Sequence, residues 1–215
     1  MIDPLHLALF VAAALVLAVT PGPGIFYVAA RALSGGRGEG IASSLGTGIG
    51  GMAHVLAGAL GVSAIVLASA ELFTVLKLVG AAYLVWIGIR TIRAARRETA
   101  TPLAGAAAPP VGVRRAFREG AVVEALNPKT AAFFLAFVPQ FVDPSAGPVA
   151  LQFVLLGTIS VVLNTLVDVL VAIGAAGIRN GVAARPVLVR RLREGSGAAM
   201  VALGLGVAFA RRPAG

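Results

Sequence analysis

The stretch AVTPGPGIFYVA, residues 18–29, places two prolines and two glycines inside an apolar run that continues on both sides. Proline lacks an N–H group, so Pro21 and Pro23 deprive the carbonyls of Leu17 and Val19 of their helical partners. In hydrocarbon such a break is tolerated only where protein or a water-filled cavity supplies new partners. The stretch therefore predicts either a packing kink or a broken helix that binds a polar substrate. The candidate binding residues are Thr20, Pro21, Gly22, Pro23 and Gly24.

The composition is that of an integral helical membrane protein. Of the 215 residues, 58% are hydrophobic and 13% are charged, whereas a soluble domain carries about 25% charged residues. The charges cluster and leave uncharged runs long enough to cross a bilayer. Asp3 and the lack of Lys or Arg before the first run predict a retained helix rather than a cleavable signal. The six predicted spans are 5–30, 43–68, 72–92, 119–142, 148–178 and 195–210.

The basic residues indicate an orientation for these spans. Fourteen arginines lie in or beside loops one, three and five, and loops two and four contain none. The positive-inside rule then places loops 31–40, 93–118 and 179–194 in the cytoplasm and both termini outside, although Arg211 and Arg212 run against this pattern. The net charge of +9 is assigned to topology and to contact with anionic membrane lipids, and no nucleic-acid partner is expected.

The chain divides into two related halves. The Ala-, Pro- and Gly-rich stretch after residue 98 predicts a flexible cytoplasmic linker over 99–118, between halves at 1–98 and 119–215. A shift of 107 residues aligns AVTPGPGIFYVA with ALNPKTAAFFLA, residues 125–136, and matches Pro21 to Pro128. Because three spans per half reverse the direction of the second half, we predict a 3+3 inverted-topology repeat with proline-broken helices 1 and 4.

The segment NPK adds a charge to the second predicted break. If span four begins near Glu119, Lys129 lies about 15 Å along the helix, near mid-bilayer. A charge at that depth marks a functional site by default, and the alternative is that Lys129 snorkels or that the helix begins near Thr130. The second break contributes the substrate-binding candidates Asn127, Pro128 and Lys129, with Glu124 as a proton-coupling candidate.

Polar residues also recur every fourth position in span five. Ser160, Asn164 and Asp168 fall on one helical face. A buried acid in a transporter is a proton site, a cation site or the partner of a basic residue, for which Lys129 is the obvious choice. We therefore add Asn164 to the substrate-binding candidates and Asp168 to the proton-coupling candidates.

Span two carries a stripe of small residues with one histidine, formed by Gly46, Gly50, His54 and Gly58. Glycines at this spacing let helices approach closely, either inside the protomer or across a homodimer. His54 is predicted to be packed and hydrogen-bonded, with proton coupling as the alternative. Because the sequence contains no cysteine and only one other histidine, we expect no metal site, no cofactor and no catalytic residue.

Four segments resemble the LysE/RhtB family of amino-acid exporters. They are TPGPG at 20–24, GAAYLVWIGIRTIR at 80–93, ALNPKTAAFFLAFVPQFV at 125–142 and GSGAAMVALGLGVAFA at 195–210. NPK followed by an aromatic pair and PQF is the most specific part. The resemblance implies a multi-pass exporter of amino acids or related small metabolites in the bacterial inner membrane, driven by the proton gradient, in which residues 20–24 and 127–129 are important.

These features together predict a secondary transporter for a small zwitterionic substrate. A lipid-handling, scramblase-like protein is the alternative, because a polar groove between broken helices also passes lipid headgroups. An intramembrane enzyme is a further alternative, for which only Glu124 and Asp168, on different helices, could serve as the pair of carboxylates.

Overall fold

The structure, a computed structural model, describes residues 4–68, 70–97 and 110–177 and single positions between 191 and 209. This part of the chain is helical and contains no strand. Its helices are α1 (Pro4–Val19), α2 (Pro23–Ala68), α3 (Ala70–Arg97), α4 (Val113–Ala125), α5 (Pro128–Ala132) and α6 (Val149–Gly177). A π-helical turn (Phe133–Phe137) and two short 3-10 helices (Val138–Phe141 and Pro144–Ala146) connect α5 to α6.

The first interruption of the helices coincides with TPGPG. The α1 helix ends at Val19, α2 begins at Pro23, and the two axes are bent by 50°. Pro23 occupies the first position of α2, where its missing N–H removes no helical hydrogen bond.

The α2 helix is a hairpin of two arms, 23–35 and 37–68, that meet at Gly36. Gly36 has φ 77° and ψ −168°, a left-handed backbone that favours glycine. A Cβ on Gly24 would lie 3.8 Å from Thr47 Cγ2, whereas a straight helix would separate these residues by about 35 Å. The two arms therefore run antiparallel.

The hairpin corrects the predicted loop 31–40. Helix continues on both sides of Gly36, so the connection between the first two predicted spans is a turn rather than a ten-residue loop. Charged residues end an apolar run without ending the helical backbone, and hydropathy therefore places the boundary too early.

The second interruption coincides with NPK. The α4 helix ends at Ala125, α5 begins at Pro128, and the bend across this break is 42°. The side chain of Asn127 caps α5, because its Oδ1 accepts a hydrogen bond from the Lys129 N–H at 3.0 Å.

Other predicted boundaries are corrected or left outside the described residues. The predicted start near Glu119 is wrong, since α4 begins at Val113 and the last residues of the linker range are helical. Hydropathy marks only the apolar part of a helix, whereas the first turns of α4 contain Arg114, Arg115 and Arg118. Most of the predicted loop 179–194 and of the predicted span 195–210 lies outside the described residues, and the described positions there are helical.

Polarity is distributed as in a membrane protein. Large apolar side chains on the outside of the helices are exposed, among them Leu9, Leu60 and Leu170, whereas Glu124 and Lys129 are buried. A soluble protein places charged groups at the surface. In the described part of the chain, α6 alone is long and apolar enough to cross a membrane as one helix. Two bent pairs also pass this test of length and composition if each forms one span: Pro4–Val19 with Pro23–Gly61, and Val113–Ala125 with Pro128–Phe141.

The glycine stripe of α2 is buried inside the protomer. A Cβ on Gly46 would overlap the carbonyl oxygen of Phe117, and one on Gly50 would overlap that of Ala121. From the opposite side, a Cβ on Gly120 would lie 2.5 Å from the Ser43 carbonyl oxygen. The second arm of α2 and α4 therefore cross backbone against backbone, and a homodimer would need another surface.

Candidate functional site

The two breaks meet at the side chain of Lys129. Its Nζ, buried in the protein, donates hydrogen bonds to the carbonyl oxygens of Leu17 at 3.2 Å and Thr20 at 2.9 Å. A Cβ on Gly22 would lie 3.1 Å from Lys129 Cε, so the break leaves just enough room for the side chain. Pro21 cannot donate to the carbonyl of Leu17, which instead accepts from the N–H of Thr20 at 3.2 Å and from Lys129 at the second break.

Glu124, at the end of α4, is held by neighbours within the second break. Its Oε2 accepts a hydrogen bond from Asn127 Nδ2 at 2.9 Å, and its Oε1 accepts one from Thr130 Oγ1 at 2.6 Å. A Cβ on Gly24 would lie 2.6 Å from Glu124 Oε2. Glycine at position 24 therefore lets the first break approach this carboxylate.

One backbone carbonyl at each break receives a side-chain donor in addition to a local backbone N–H. Under the shift of 107 residues, Leu17 corresponds to Glu124. Lys129, from the second half, donates to the carbonyl of Leu17, and His54, from the first half, lies with Nε2 2.9 Å from the carbonyl oxygen of Glu124. Because a carbonyl oxygen can only accept, His54 Nε2 is assigned as the protonated ring nitrogen.

His54 is thus packed and hydrogen-bonded, as the first of its two interpretations predicts. Its ring also stacks on Phe134 with centroids 6.0 Å apart. Proton coupling through His54 stays a prediction.

Asp168 faces the same region from α6 and is fully buried. Its Oδ2 lies 2.8 Å from Thr47 Oγ1 and 3.3 Å from Asn164 Nδ2, and its Oδ1 has no hydrogen-bond partner among the described residues. The expected ion pair with Lys129 is absent from this part of the chain. Lys129 points instead at the carboxyl end of α1, where the last carbonyls carry the negative end of the helix dipole.

A small cavity of about 20 Å³ lies between these groups. Its lining includes Leu17, Thr47, Glu124, Thr130, Ser160 and Asn164. This space holds about one water molecule, so the site is closed to a molecule as large as an amino acid. Binding of such a molecule requires the surrounding helices to move apart.

Thr47 and Thr130 were not among the predicted site residues. Both sit inside apolar helices, and each contacts one of the two buried carboxylates. The available signal was weak: Thr47 lies between two glycines of span two, and Thr130 directly follows Lys129. A single threonine within a span is too common to be assigned a partner from sequence.

Comparison with known proteins identifies the family of this chain. The family model described as LysE type translocator matches residues 15–211. The chain belongs to the LysE type translocator family. Its resemblance to LysE/RhtB exporters is confirmed, and family membership makes it a membrane transporter rather than an enzyme.

Its relatives are bacterial membrane and efflux proteins. An uncharacterized membrane protein of Pseudomonas aeruginosa is 36% identical over 68% of this chain and 68% of its own length. The homoserine/homoserine lactone efflux protein of Salmonella typhimurium is 30% identical over 91% of this chain and 92% of its own length. The leucine efflux protein of an Enterobacter species is 27% identical over 69% of each chain. No solved structure shows a significant match.

Substituting Gly24 with alanine tests the close approach of the two breaks. The new Cβ forces the Glu124 carboxylate away from Asn127 and Thr130. We expect a loss of stability of about 1–3 kcal/mol, together with reduced transport. Thermal unfolding in detergent measures the first effect. Gly174→Ala on α6 is the matched control, since a Cβ there meets nothing within 4 Å among the described residues. Equal melting temperatures for the two variants would contradict the contact.

Proposed function

We propose that this translocator exports amino acids or related small metabolites across the bacterial inner membrane by alternating access, coupled to protons. The observation that carries the proposal is the meeting of the two broken helices at a buried polar site, in a chain whose relatives include proteins named for efflux of homoserine and leucine. Broken helices that meet around a closed polar site are the usual substrate-binding architecture of secondary transporters.

The proposed architecture is six spans arranged as a 3+3 inverted repeat. Two features support it: Pro21 and Pro128 are equivalent under one shift, and the carbonyls of Leu17 and Glu124 receive donors from opposite halves. In alternating access the two halves rock about this shared site, with the basic loops on the cytoplasmic side.

The substrate site that we propose lies between residues 20–24 and 127–129, with Asn164 on its α6 side. A zwitterionic substrate needs a positive partner for its carboxylate and a negative partner for its ammonium. Lys129 and the helix starts at Pro23 and Pro128 supply the positive partner. The buried carboxylates of Glu124 and Asp168 supply the negative partner.

We propose that the carboxyl group of Asp168 takes up the coupling proton. Thr47 Oγ1 lies 2.8 Å from Asp168 Oδ2 and also 2.7 Å from the carbonyl oxygen of Ser44. One hydroxyl proton cannot serve both acceptors. If Asp168 is protonated, it donates to Thr47, Thr47 donates to Ser44, and both contacts are made. Glu124, in contrast, accepts a hydrogen bond on each oxygen, from Asn127 and from Thr130.

Export of labelled homoserine and leucine from loaded proteoliposomes tests the proposed function. We expect efflux above that of protein-free vesicles, and accumulation against the substrate gradient when a proton gradient is imposed. Lipid flipping without amino-acid flux would overturn the proposal in favour of a lipid-handling protein.

Substituting Asp168 with asparagine tests the proton assignment separately. Asparagine keeps the shape of the side chain but cannot carry the proton, so we expect exchange of substrate to continue while accumulation driven by the proton gradient disappears. Asp143→Asn is the control. Asp143 lies in the α5–α6 connection outside the spans, where hydrogen bonds from Ser145 hold the pKa of its carboxyl below the usual value. Normal proton-driven accumulation in Asp168→Asn would reject the assignment.

A further inference from the structure

A second pair of opposite charges is buried at the tip of the α2 hairpin. Arg31 Nη1 and Glu39 Oε2 are 4.0 Å apart, and the two side chains are 8% and 5% exposed. They lie on opposite sides of the turn at Gly36. Neither the Nε nor the Nη1 of Arg31 has a hydrogen-bond partner among the described residues, and neither does Glu39 Oε2.

Both side chains are positioned by their surroundings. Glu39 Oε1 accepts a hydrogen bond from the N–H of Gly112, which precedes α4, at 2.7 Å. The Arg31 guanidinium lies over the ring of Tyr27, 5.8 Å from its centroid. A Cβ on Gly35 would overlap the Glu39 carboxylate, so glycine there permits its position. The pair is thus held in place, yet its two partners stop short of a hydrogen bond.

Such an arrangement is unfavourable by itself. Buried donors and acceptors are normally paired, and each unpaired one costs free energy. A buried ion pair offsets its desolvation only when its geometry is good and its remaining atoms are hydrogen-bonded. The unpaired atoms here are the Nε and Nη1 of Arg31, each of which can donate a hydrogen bond to a carboxylate oxygen, and Glu39 Oε2, which can accept one from an ammonium.

We propose that Arg31 and Glu39 form a second binding site for zwitterionic amino acids, on the route to the site between the broken helices. Arg31 binds the substrate carboxylate and Glu39 Oε2 binds its ammonium, so the substrate replaces the loose contact between the two residues. The inference rests on the proposed export of amino acids and on the cytoplasmic location of the hairpin tip. Because both side chains are buried, binding requires the arms of α2 to separate at Gly36.

The position of the pair suits a first contact with the substrate. Arg31 lies seven residues after Gly24, which corresponds to about 10 Å along the first arm. Gly24 lies beside Glu124 in the central site, where a Cβ on Gly24 would be 2.6 Å from Glu124 Oε2. A substrate released from Arg31 and Glu39 therefore has a short path to the proposed transport site, and Glu39 links that path to the start of α4 through Gly112.

The test compares amino acids with analogues that lack one charge. For leucine, leucinol lacks the carboxylate and 4-methylpentanoate lacks the ammonium. In proteoliposomes of known orientation, we expect wild-type protein to prefer leucine over both analogues when they are presented on the cytoplasmic side. In the double variant Arg31→Met/Glu39→Gln, we expect the cytoplasmic KM for leucine to rise about tenfold or more and the preference over both analogues to shrink. The KM from the opposite side should stay unchanged.

The double variant guards against misfolding. It removes both charges together, so neither is left buried alone, and glutamine keeps an oxygen for the N–H of Gly112. Arg37→Gln is the control, because Arg37 lies at the same tip but is exposed. If Arg31 and Glu39 only stabilise the fold, the double variant will give less folded protein, and that protein will keep the wild-type preference for leucine over its analogues.

The two proposals fail in different ways. If the wild-type protein transports no amino acid, the proposed export of amino acids and this site are both overturned. If the wild type transports amino acids while the double variant keeps the wild-type cytoplasmic KM and analogue preference, the second site alone is overturned. The second site alone is also overturned if the double variant raises the KM for leucine equally on both sides of the membrane.

Discussion

Substitution of Lys129 by alanine is expected to lower amino-acid export by about two orders of magnitude or more. The change removes the charged donor that serves the carbonyls of Leu17 and Thr20, and with it the positive partner proposed for the substrate carboxylate. A hydrogen bond to a charged group contributes about 1.5–3 kcal/mol, and each 1.4 kcal/mol corresponds to about a tenfold effect. The measurement is the initial rate of export of labelled leucine or homoserine, normalised to the amount of protein in the membrane.

Two further variants separate charge from packing at this site. Lys129→Met keeps a long side chain against Gly22 but cannot donate, and we expect it to be as inactive as the alanine variant. Lys77→Met makes the same change at the other lysine of the sequence and should export at a rate close to that of the wild type. If Lys129→Met exports normally, Lys129 fills space at the break, and the proposed substrate site must be placed elsewhere.

The interruptions of the helices could be predicted because proline acts locally. Pro21 and Pro128 each lack an N–H whatever surrounds them, and the helices are interrupted next to both. The predicted span 148–178 agrees with α6 for a similar reason, since a long apolar run with a single charged residue, Asp168, needs no tertiary information to be recognised. The proposed repeat pairs Pro21 with Pro128 in the sequence, and the structure brings the carbonyl of Leu17 to the second break.

Contacts between side chains on different elements could not be predicted in the same way. Lys129 and Asp168 are opposite charges in the same chain, but only the three-dimensional positions of α1 and α6 decide that Lys129 donates to carbonyls. Thr47 and Thr130 gain their roles from the carboxylates that the fold brings beside them. The hairpin at Gly36 was hidden because the charges of Arg31 and Glu39, normally signs of a loop in water, are buried against each other.

Substitution of Gly46 by valine is expected to produce the largest loss of stability. Gly46 lies where the second arm of α2 crosses α4, and any Cβ there overlaps the backbone carbonyl of Phe117 rather than a movable side chain. The two helices must therefore separate along their whole crossing. We expect a loss of about 3 kcal/mol or more, at the upper end of the range for overpacked sites. Thermal unfolding of the purified protein in detergent measures this loss.

The same substitution at Gly61 is the matched control. Gly61 lies on the same arm of α2 and is exposed, and a Cβ there would meet no atom of the described residues within 4 Å, so valine should leave the melting temperature nearly unchanged. The crossing also sets the distance between His54, two turns after Gly46, and the carbonyl of Glu124 that it caps. Gly46→Val should therefore lose transport even at temperatures where it remains folded. Equal stability and equal transport in the two valine variants would mean that α2 and α4 are not held together by backbone contact.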